Sequence, residues 1–240
     1  VQKANTIEEL LQDCPVNSVI GDNLIRAWSK INSPKYLHIL CSVSGGSDSD
    51  DMIDIVWRCD RDDKVIYVCF DTGLEYQATK EHLDYLEEKY NIKILRYKAI
   101  KPIPSSCKQY GQPFLSKQVS EFIQRLQSHN FQWEDEKFDI LYKKYPKCKS
   151  ALEWWCGEKG EGSHFNISCN KYLKEFMVAN PPTFKISNKC CQYAKKDVVH
   201  KILREGICGN GLLPIDLQIV GIRKAEGGAR ATAYKSCFDE

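Results

Sequence analysis

The sequence predicts an α/β protein: a doubly wound, mainly parallel sheet carrying a helical insertion. Three observations point to that class. The runs Tyr36 to Cys41 and Lys64 to Phe70 are almost continuously apolar or aromatic, as strands buried on both faces should be. Between them Ile53, Val56 and Trp57 recur at helical spacing, so strand, helix and strand follow in the order of a parallel crossover unit. A third run, Ile92 to Tyr97, follows the helical stripe Leu83, Leu86 and Tyr90 and extends the sheet by a right-handed connection.

The 240 residues are 42% hydrophobic and 28% charged, globular proportions that exclude a disordered chain. A formal net charge of +2 predicts no polyanion partner by itself. Val1, Gln2 and Lys3 lead to a helix-like stretch at Thr6 without an apolar h-region, which predicts no signal peptide. No apolar run approaches the roughly 18 residues of a membrane span, so no membrane partner is expected. Twelve cysteines are too sparse for a disulfide scaffold. Cys41 and Cys69 lie inside apolar runs, where a thiol packs as a small hydrophobe, and the expected location is a reducing cytoplasm.

In chain order, Thr6 and Glu9 form a capping box, and Ile20, Leu24, Trp28 and Ile31 mark a second helix, giving residues 1–35 as N-terminal helices. Asn32, Ser33 and Pro34 interrupt them, and residues 36–240 read as one domain. Pro102, Pro104 and Pro113 suggest a linker opening an insertion over about 100–185. Helices there carry Val119, Phe122, Ile123 and Leu126, then Phe138, Leu141, Tyr142 and Tyr145, with Leu152, Trp154 and Trp155 as core. A further helix bearing Cys169, Tyr172, Leu173 and Phe176 stops at Asn180, Pro181 and Pro182. The segment 186–240 holds the adjacent Cys190 and Cys191, a helix through Val198, Val199, Ile202 and Leu203 ending at Gly206, and a strand-like return at Leu217 to Ile222.

The string that carries chemistry is Ser44-Gly45-Gly46-Ser47-Asp48-Ser49, after a buried strand and before a helix. Two glycines admit a phosphate close to the backbone, the amides and helix dipole favour an anion, and serine hydroxyls add donors. The lysine and four-residue gap of a Walker loop are missing, so this is a different cradle, or else a plain serine- and glycine-rich turn.

This loop resembles the Ser-Gly-Gly-x-Asp-Ser loop of the adenine-nucleotide alpha-hydrolase (PP-loop) superfamily, and Phe70-Asp71-Thr72-Gly73-Leu74-Glu75 resembles the Asp-Thr-Gly stretch of the phosphoadenosine phosphosulfate reductase family. Lys189-Cys190-Cys191-Gln192-Tyr193-Ala194-Lys195 is similar to the double-cysteine segment of the iron-sulfur members, and Gly221-Ile222-Arg223 with Glu226 and Arg230 to their late arginine loop. The resemblance implies that Ser44 to Ser49 hold the pyrophosphate or sulfate end of an adenine nucleotide, ATP or phosphoadenosine phosphosulfate. Asp71 and Thr72 would lie near ribose or adenine, with Arg223, Glu226 and Arg230 closing the site. Asp48, Lys195 and Arg223 are its catalytic candidates. Independently, a guanidinium fork matches phosphate or sulfate oxygens, although exposed arginines also serve as plain solvated charge.

The resemblance further implies that Cys190, Cys191 and Cys237 ligate a 4Fe-4S cluster, with Lys195 directed at the substrate anion. Adjacent side chains on a helix diverge, so both cysteines reaching one cluster requires a helix terminus or local strain; Lys189, Lys195 and Lys196 favour thiolates. The alternative is packed thiols without metal. The family's usual Cys-x-x-Cys is not completed, because Glu240 stands three residues after Cys237, which leaves the fourth ligand to Cys208, Cys169, a carboxylate, an external group or a longer chain. The Glu-Cys-Gly-x-His string of thioredoxin-dependent reductases is also missing, so reduction rests on analogy.

Two other constellations compete. Cys148, Cys156, His164 and Cys169 offer zinc-type ligands at spacings longer than structural sites use. Lysines dense over 137–149 and 185–201, interleaved with Tyr142, Tyr145, Trp154, Trp155 and Tyr193, suit either a nucleic-acid face or a solvated surface. The expected function is therefore sulfur transfer or sulfonucleotide reduction by an adenine-nucleotide enzyme. ATP-dependent thiolation of tRNA or DNA and a catalytically inactive nucleotide-binding module are the alternatives, and an electron- or sulfur-donor protein is a further candidate partner.

Overall fold

The computed structural model of the chain describes residues 2–12, 14–15, 18–160, 163, 165–207 and 215–222. Its contacts divide it into two compact units, Val1–Ala99 with Lys195–Glu240, and Ile100–Ala194.

In the first unit α1 (Ile7–Leu11) is capped by Thr6, whose hydroxyl accepts the Glu9 amide at 3.2 Å. The Glu9 carboxylate accepts the Asn5 amide at 2.7 Å, one residue ahead of the cap. α2 (Val19–Ile31) starts at Ser18, and the Asn32 amide group after it donates to the carbonyls of Trp28 and Cys59. β1 (Ile39–Val43), α3 (Ser47–Cys59), β2 (Val65–Asp71), α4 (Gln77–Tyr90) and β3 (Ile94–Lys98) follow. β1 begins three residues later than its apolar run. The amides of Leu37 and His38 donate instead to the Asp216 carboxylate, at 2.9 and 3.1 Å, and Leu37 is exposed. β3 also starts late, because α4 ends on a left-handed Asn91 (φ 48°) and the Ile92 amide still bonds back to Glu87.

The second unit is helical: α5 (Ile103–Tyr110), α6 (Lys117–Ser128), α7 (Phe138–Lys144), α8 (Lys149–Cys156), α9 (Leu173–Ala179) and the single turn α10 (Lys189–Cys191). Pro102 and Pro104 do not make a linker. They stand at the cap and in the first turn of α5, where a missing N–H costs nothing and the fixed φ favours helix. Cys169 is not on the helix expected around it but ends a separate 3₁₀ turn, Ile167–Cys169, before α9. Phe122, Ile123, Leu126, Phe131, Trp133, Leu141, Leu152, Trp154 and Trp155 form one buried cluster.

The chain then passes through a π-helical turn, Gln192–Lys196, into α11 (Asp197–Glu205) and β4 (Leu217–Val220), back in the first unit. The four strands are all parallel in the order β3-β2-β1-β4. Strand parity decides what each face covers. Ile39, Cys41, Val43, Val65, Tyr67, Cys69 and Ile94 pack with α2, α3 and α4, whereas Leu40 and Val68 pack on the other face with Val198 and Ile202 of α11. Helices on both faces make the sheet doubly wound, and among the described residues no helix is long and apolar enough to cross a membrane.

Two buried thiols of the first unit, Cys59 at the end of α3 and Cys69 in β2, set an alkaline limit. Burial, with the Asp60 charge beside it, pushes Cys59 up to about 12, and burial foremost pushes Cys69 up to about 11. Both keep their protons in the folded chain at a pH where the unfolded chain ionises them. Stability they contribute is therefore full below the ordinary thiol value of 9.0 and falls as pH rises toward 11 to 12. Urea unfolding at pH 8 and pH 10.5 should show a lower midpoint at the higher pH, and Cys59→Ala should flatten that dependence.

Candidate nucleotide-binding site

The loop joining β1 to α3 lies at the carboxyl end of β1, where the chain leaves toward β2 on one side and β4 flanks the strand on the other. That is the switch point at which a doubly wound sheet opens a crevice. Gly45 takes φ 73°, and a Cβ there would come within 2.9 Å of the Thr79 methyl on α4. Only glycine meets both demands. Gly46 caps α3 with no side chain to close over its first turn. The Ser49 hydroxyl, expected as a ligand donor, instead donates to the Gly46 carbonyl at 2.8 Å and is buried; it braces the loop. Ser44 and Ser47 are exposed, and Asp48 is half-buried in the first turn of α3. A Cβ on Gly221, just after β4, would lie 3.1 Å from the Asp48 carbonyl, so the two loop backbones run close together.

At the end of β2 the Asp71 carboxylate accepts the Gly73 amide at 2.8 Å and turns the chain. Thr72 is buried, and its hydroxyl donates to Glu75 at 2.7 Å, so its side chain is committed to the turn. Glu75 is thus a residue the sequence-derived candidate set lacked. Another is His82 on α4, whose Nε2 lies 2.7 Å from the Asp50 carboxylate on α3, bracing the two helices beside the loop. A histidine one turn beyond Thr79, four after Ala78, carried no separate signal in the sequence. Lys195 is exposed in the π-helical turn, and its charge opposes the upward push on Cys69.

Cys190 and Cys191 are free, half-buried thiols in α10, where the backbone changes from α to π geometry. Cys107 on α5, absent from the sequence-derived candidates, lies near Cys190; burial foremost, then the Cys190 charge, raises the Cys107 thiol. Nearby, Tyr110 stacks on Tyr193 with ring centres 4.7 Å apart, and Lys101 donates to the Tyr110 hydroxyl at 3.0 Å. That hydrogen bond, with a second from Tyr193, lowers the Tyr110 phenol.

Other expectations separate. Cys148, Cys156 and Cys169 donate to three different carbonyls, those of Arg125, Glu136 and Ser163, and do not assemble a zinc site. Among the described residues no three His, Cys, Asp or Glu side chains gather as a metal ion requires. Trp154 and Trp155 are fully buried, so they cannot alternate with lysines on a nucleic-acid face; their size drives them into the core. Arg223, Glu226, Arg230, Cys237, Cys208 and His164 lie outside the described residues.

Comparison with known proteins bears on the same region. No curated protein matches the chain. A family model described as the phosphoadenosine phosphosulfate reductase domain matches residues 38–157, which is 120 of the 240, from the foot of β1 through α8. The Ser-Gly-Gly loop, the Asp71 turn and their strands all fall inside that match, and the chain belongs to the phosphoadenosine phosphosulfate reductase family.

Proposed function

We propose that the loop Ser44 to Ser49 binds the anionic end of an adenine nucleotide, ATP or phosphoadenosine phosphosulfate, in an enzyme of sulfur metabolism that performs sulfur transfer or sulfonucleotide reduction. Members of the family are sulfonucleotide reductases or related enzymes, which supports the class. The observation that carries the reading is the glycine-only loop at the switch point: Gly45 is forced by conformation and by Thr79, and Gly46 leaves the first-turn amides of α3 uncovered by a capping side chain. In this reading those amides and Arg223 stabilise the anion that departs, Lys195 and Arg230 attract the nucleotide's charge, and Asp71, Thr72 and Glu226 define the ribose side. Asp48 belongs to the reacting end.

Cys190 and Cys191 suit iron-sulfur ligation in their chemistry, being free thiols in one irregular helical turn with Lys189 beside them. Together with Cys237 they would hold a 4Fe-4S cluster, which when bound supplies charge tuning or carriage of sulfur. Anaerobic reconstitution with iron and sulfide should load the parent protein, and Cys190→Ser should lose most of that iron. Unchanged iron content would remove the cluster from the proposal.

A second reading, thiolation of a nucleic acid, draws on one feature of the helical unit. A cavity of about 570 Å³ is lined by Tyr110, Gln132, Phe184, Lys185 and Lys189 among others, side chains that stack on bases, pair with their edges and neutralise phosphates. Calorimetric titration with ATP, phosphoadenosine phosphosulfate and a single-stranded oligonucleotide at low and high salt separates the readings. Mononucleotide affinity should persist in salt, whereas oligonucleotide affinity should fall steeply. If folded protein binds neither mononucleotide, the principal reading fails.

A further inference from the structure

Cys107 and Cys190 belong to different helices of the helical unit, α5 and α10, yet those helices pack on each other and bring the two thiols near enough that, beside burial, the Cys190 charge raises Cys107. The backbone explains why they meet. Immediately after α5 the Gln112 amide donates to the Lys185 carbonyl and the Ser187 amide to the Gln112 carbonyl, both at 2.9 Å, a parallel bridge that lays 185–187 alongside the end of α5. Gly111 permits the approach: at φ 113° its absent Cβ would sit 2.5 Å from the Lys185 carbonyl. The fully buried Ser187 then accepts the Lys189 amide at 3.0 Å and donates to Gln124 at 3.1 Å, which fixes the start of α10. The Tyr110–Tyr193 stack spans the same two segments one turn further on.

We propose that Cys107 and Cys190 are a redox couple that closes to a reversible disulfide, a modification that takes Cys190 out of reach of iron. α5 packs on α10, both cysteines are half-buried and open to a small reagent, and the segments that carry them are held together by backbone bonds and by the Tyr110–Tyr193 stack. Covalent closure sets the two sulfurs about 2.05 Å apart. Cys191 is the less suited partner, because successive side chains on a helical turn diverge by about 100° and it is Cys190 whose charge reaches Cys107. The oxidant is a small disulfide such as oxidised glutathione. The Cys190 thiolate attacks it, releasing one glutathione thiolate and forming a mixed disulfide; the Cys107 thiol loses its proton to solvent, and the resulting thiolate displaces the second glutathione. Two protein thiols are oxidised and one disulfide is reduced to two thiols. This goes beyond the cluster reading and does not require it.

The test uses the full chain, stripped of iron, equilibrated in glutathione buffers of increasing oxidation, then alkylated, digested and analysed by mass spectrometry with fragmentation. A peptide cross-linked between Cys107 and Cys190, with two thiols lost per chain and regained in dithiothreitol, is expected. Cys191→Ser should retain the link, and Cys107→Ser should leave Cys190 carrying one glutathione. A Cys190–Cys191 link, a link that persists in Cys190→Ser, or a Cys107 alkylated at every buffer ratio would overturn the proposal. Iron uptake separates the two ideas: oxidation should suppress it in the parent and spare it in Cys107→Ser, whereas a chain that takes no iron in any state defeats the cluster while leaving the disulfide standing.

Discussion

Gly45→Ala is expected to weaken adenine-nucleotide binding about 100-fold, the size of losing one or two hydrogen bonds to a charged group. The left-handed backbone at φ 73° penalises any Cβ by about 1–2 kcal/mol, and the new methyl meets the Thr79 methyl at 2.9 Å, so the loop must shift off the end of α3. Thr79→Ser removes that contact and should restore part of the affinity, because only the conformational strain then remains. Gly46→Ala is the companion variant. Its Cβ meets nothing nearer than the Ser44 hydroxyl at 3.7 Å, so the protein should melt with the parent while the methyl crowds the anion and lowers affinity about tenfold. Calorimetry beside thermal melts reads both effects. Parental affinity in Gly46→Ala, with loss in Gly45→Ala only in step with unfolding, would make the loop a turn and nothing more.

Trp155→Ala should destabilise the chain by about 3–5 kcal/mol, the range for deleting a large buried aromatic side chain. Trp155 has no exposure, its indole N–H donates to the Glu134 carbonyl at 3.0 Å, and its ring stands edge-on to Phe131 and Trp133 at 5.5 and 5.6 Å. Removing it opens a cavity and strands a carbonyl acceptor in the only buried cluster described for the helical unit. Trp155→Phe keeps most of the volume and loses the N–H, so it should cost less than half as much. Urea unfolding followed by fluorescence and circular dichroism gives the comparison. A loss below about 1 kcal/mol in the alanine variant would mean that the helical unit does not depend on this core.

The iron-sulfur proposal and the disulfide proposal make different demands on one residue. Cys190→Ser is predicted to empty the iron site and also to abolish the link to Cys107, whereas Cys107→Ser should touch only the link. Cys107→Ser therefore reports on the link without the cluster, and its comparison with Cys190→Ser isolates the iron.

The central strands, the helix between them and the glycine loop were legible because each is a local pattern: an apolar run, a 3.6-residue stripe, two glycines between strand and helix. Burial on both faces of β1 follows from its nearly continuous apolar sequence, and parity alone assigns Cys41 to one face and Leu40 to the other. Where the sequence misled about the start of β1, a partner distant in the chain had decided the matter. Asp216 holds the amides of Leu37 and His38 outside β1; Pro102 and Pro104 mislead locally, since the helix start absorbs them, while Trp154 and Trp155 lie in the core as expected, which removes them from the alternative lysine-rich face. The pairing of Cys107 with Cys190 had no local signature, since it depends on a backbone bridge between Gln112 and the 185–187 segment and on the one residue, Gly111, that lets them approach. Short-range backbone preference and hydrophobic period fix elements along the chain; which side chains meet across it is decided by packing and by where buried amides find their acceptors.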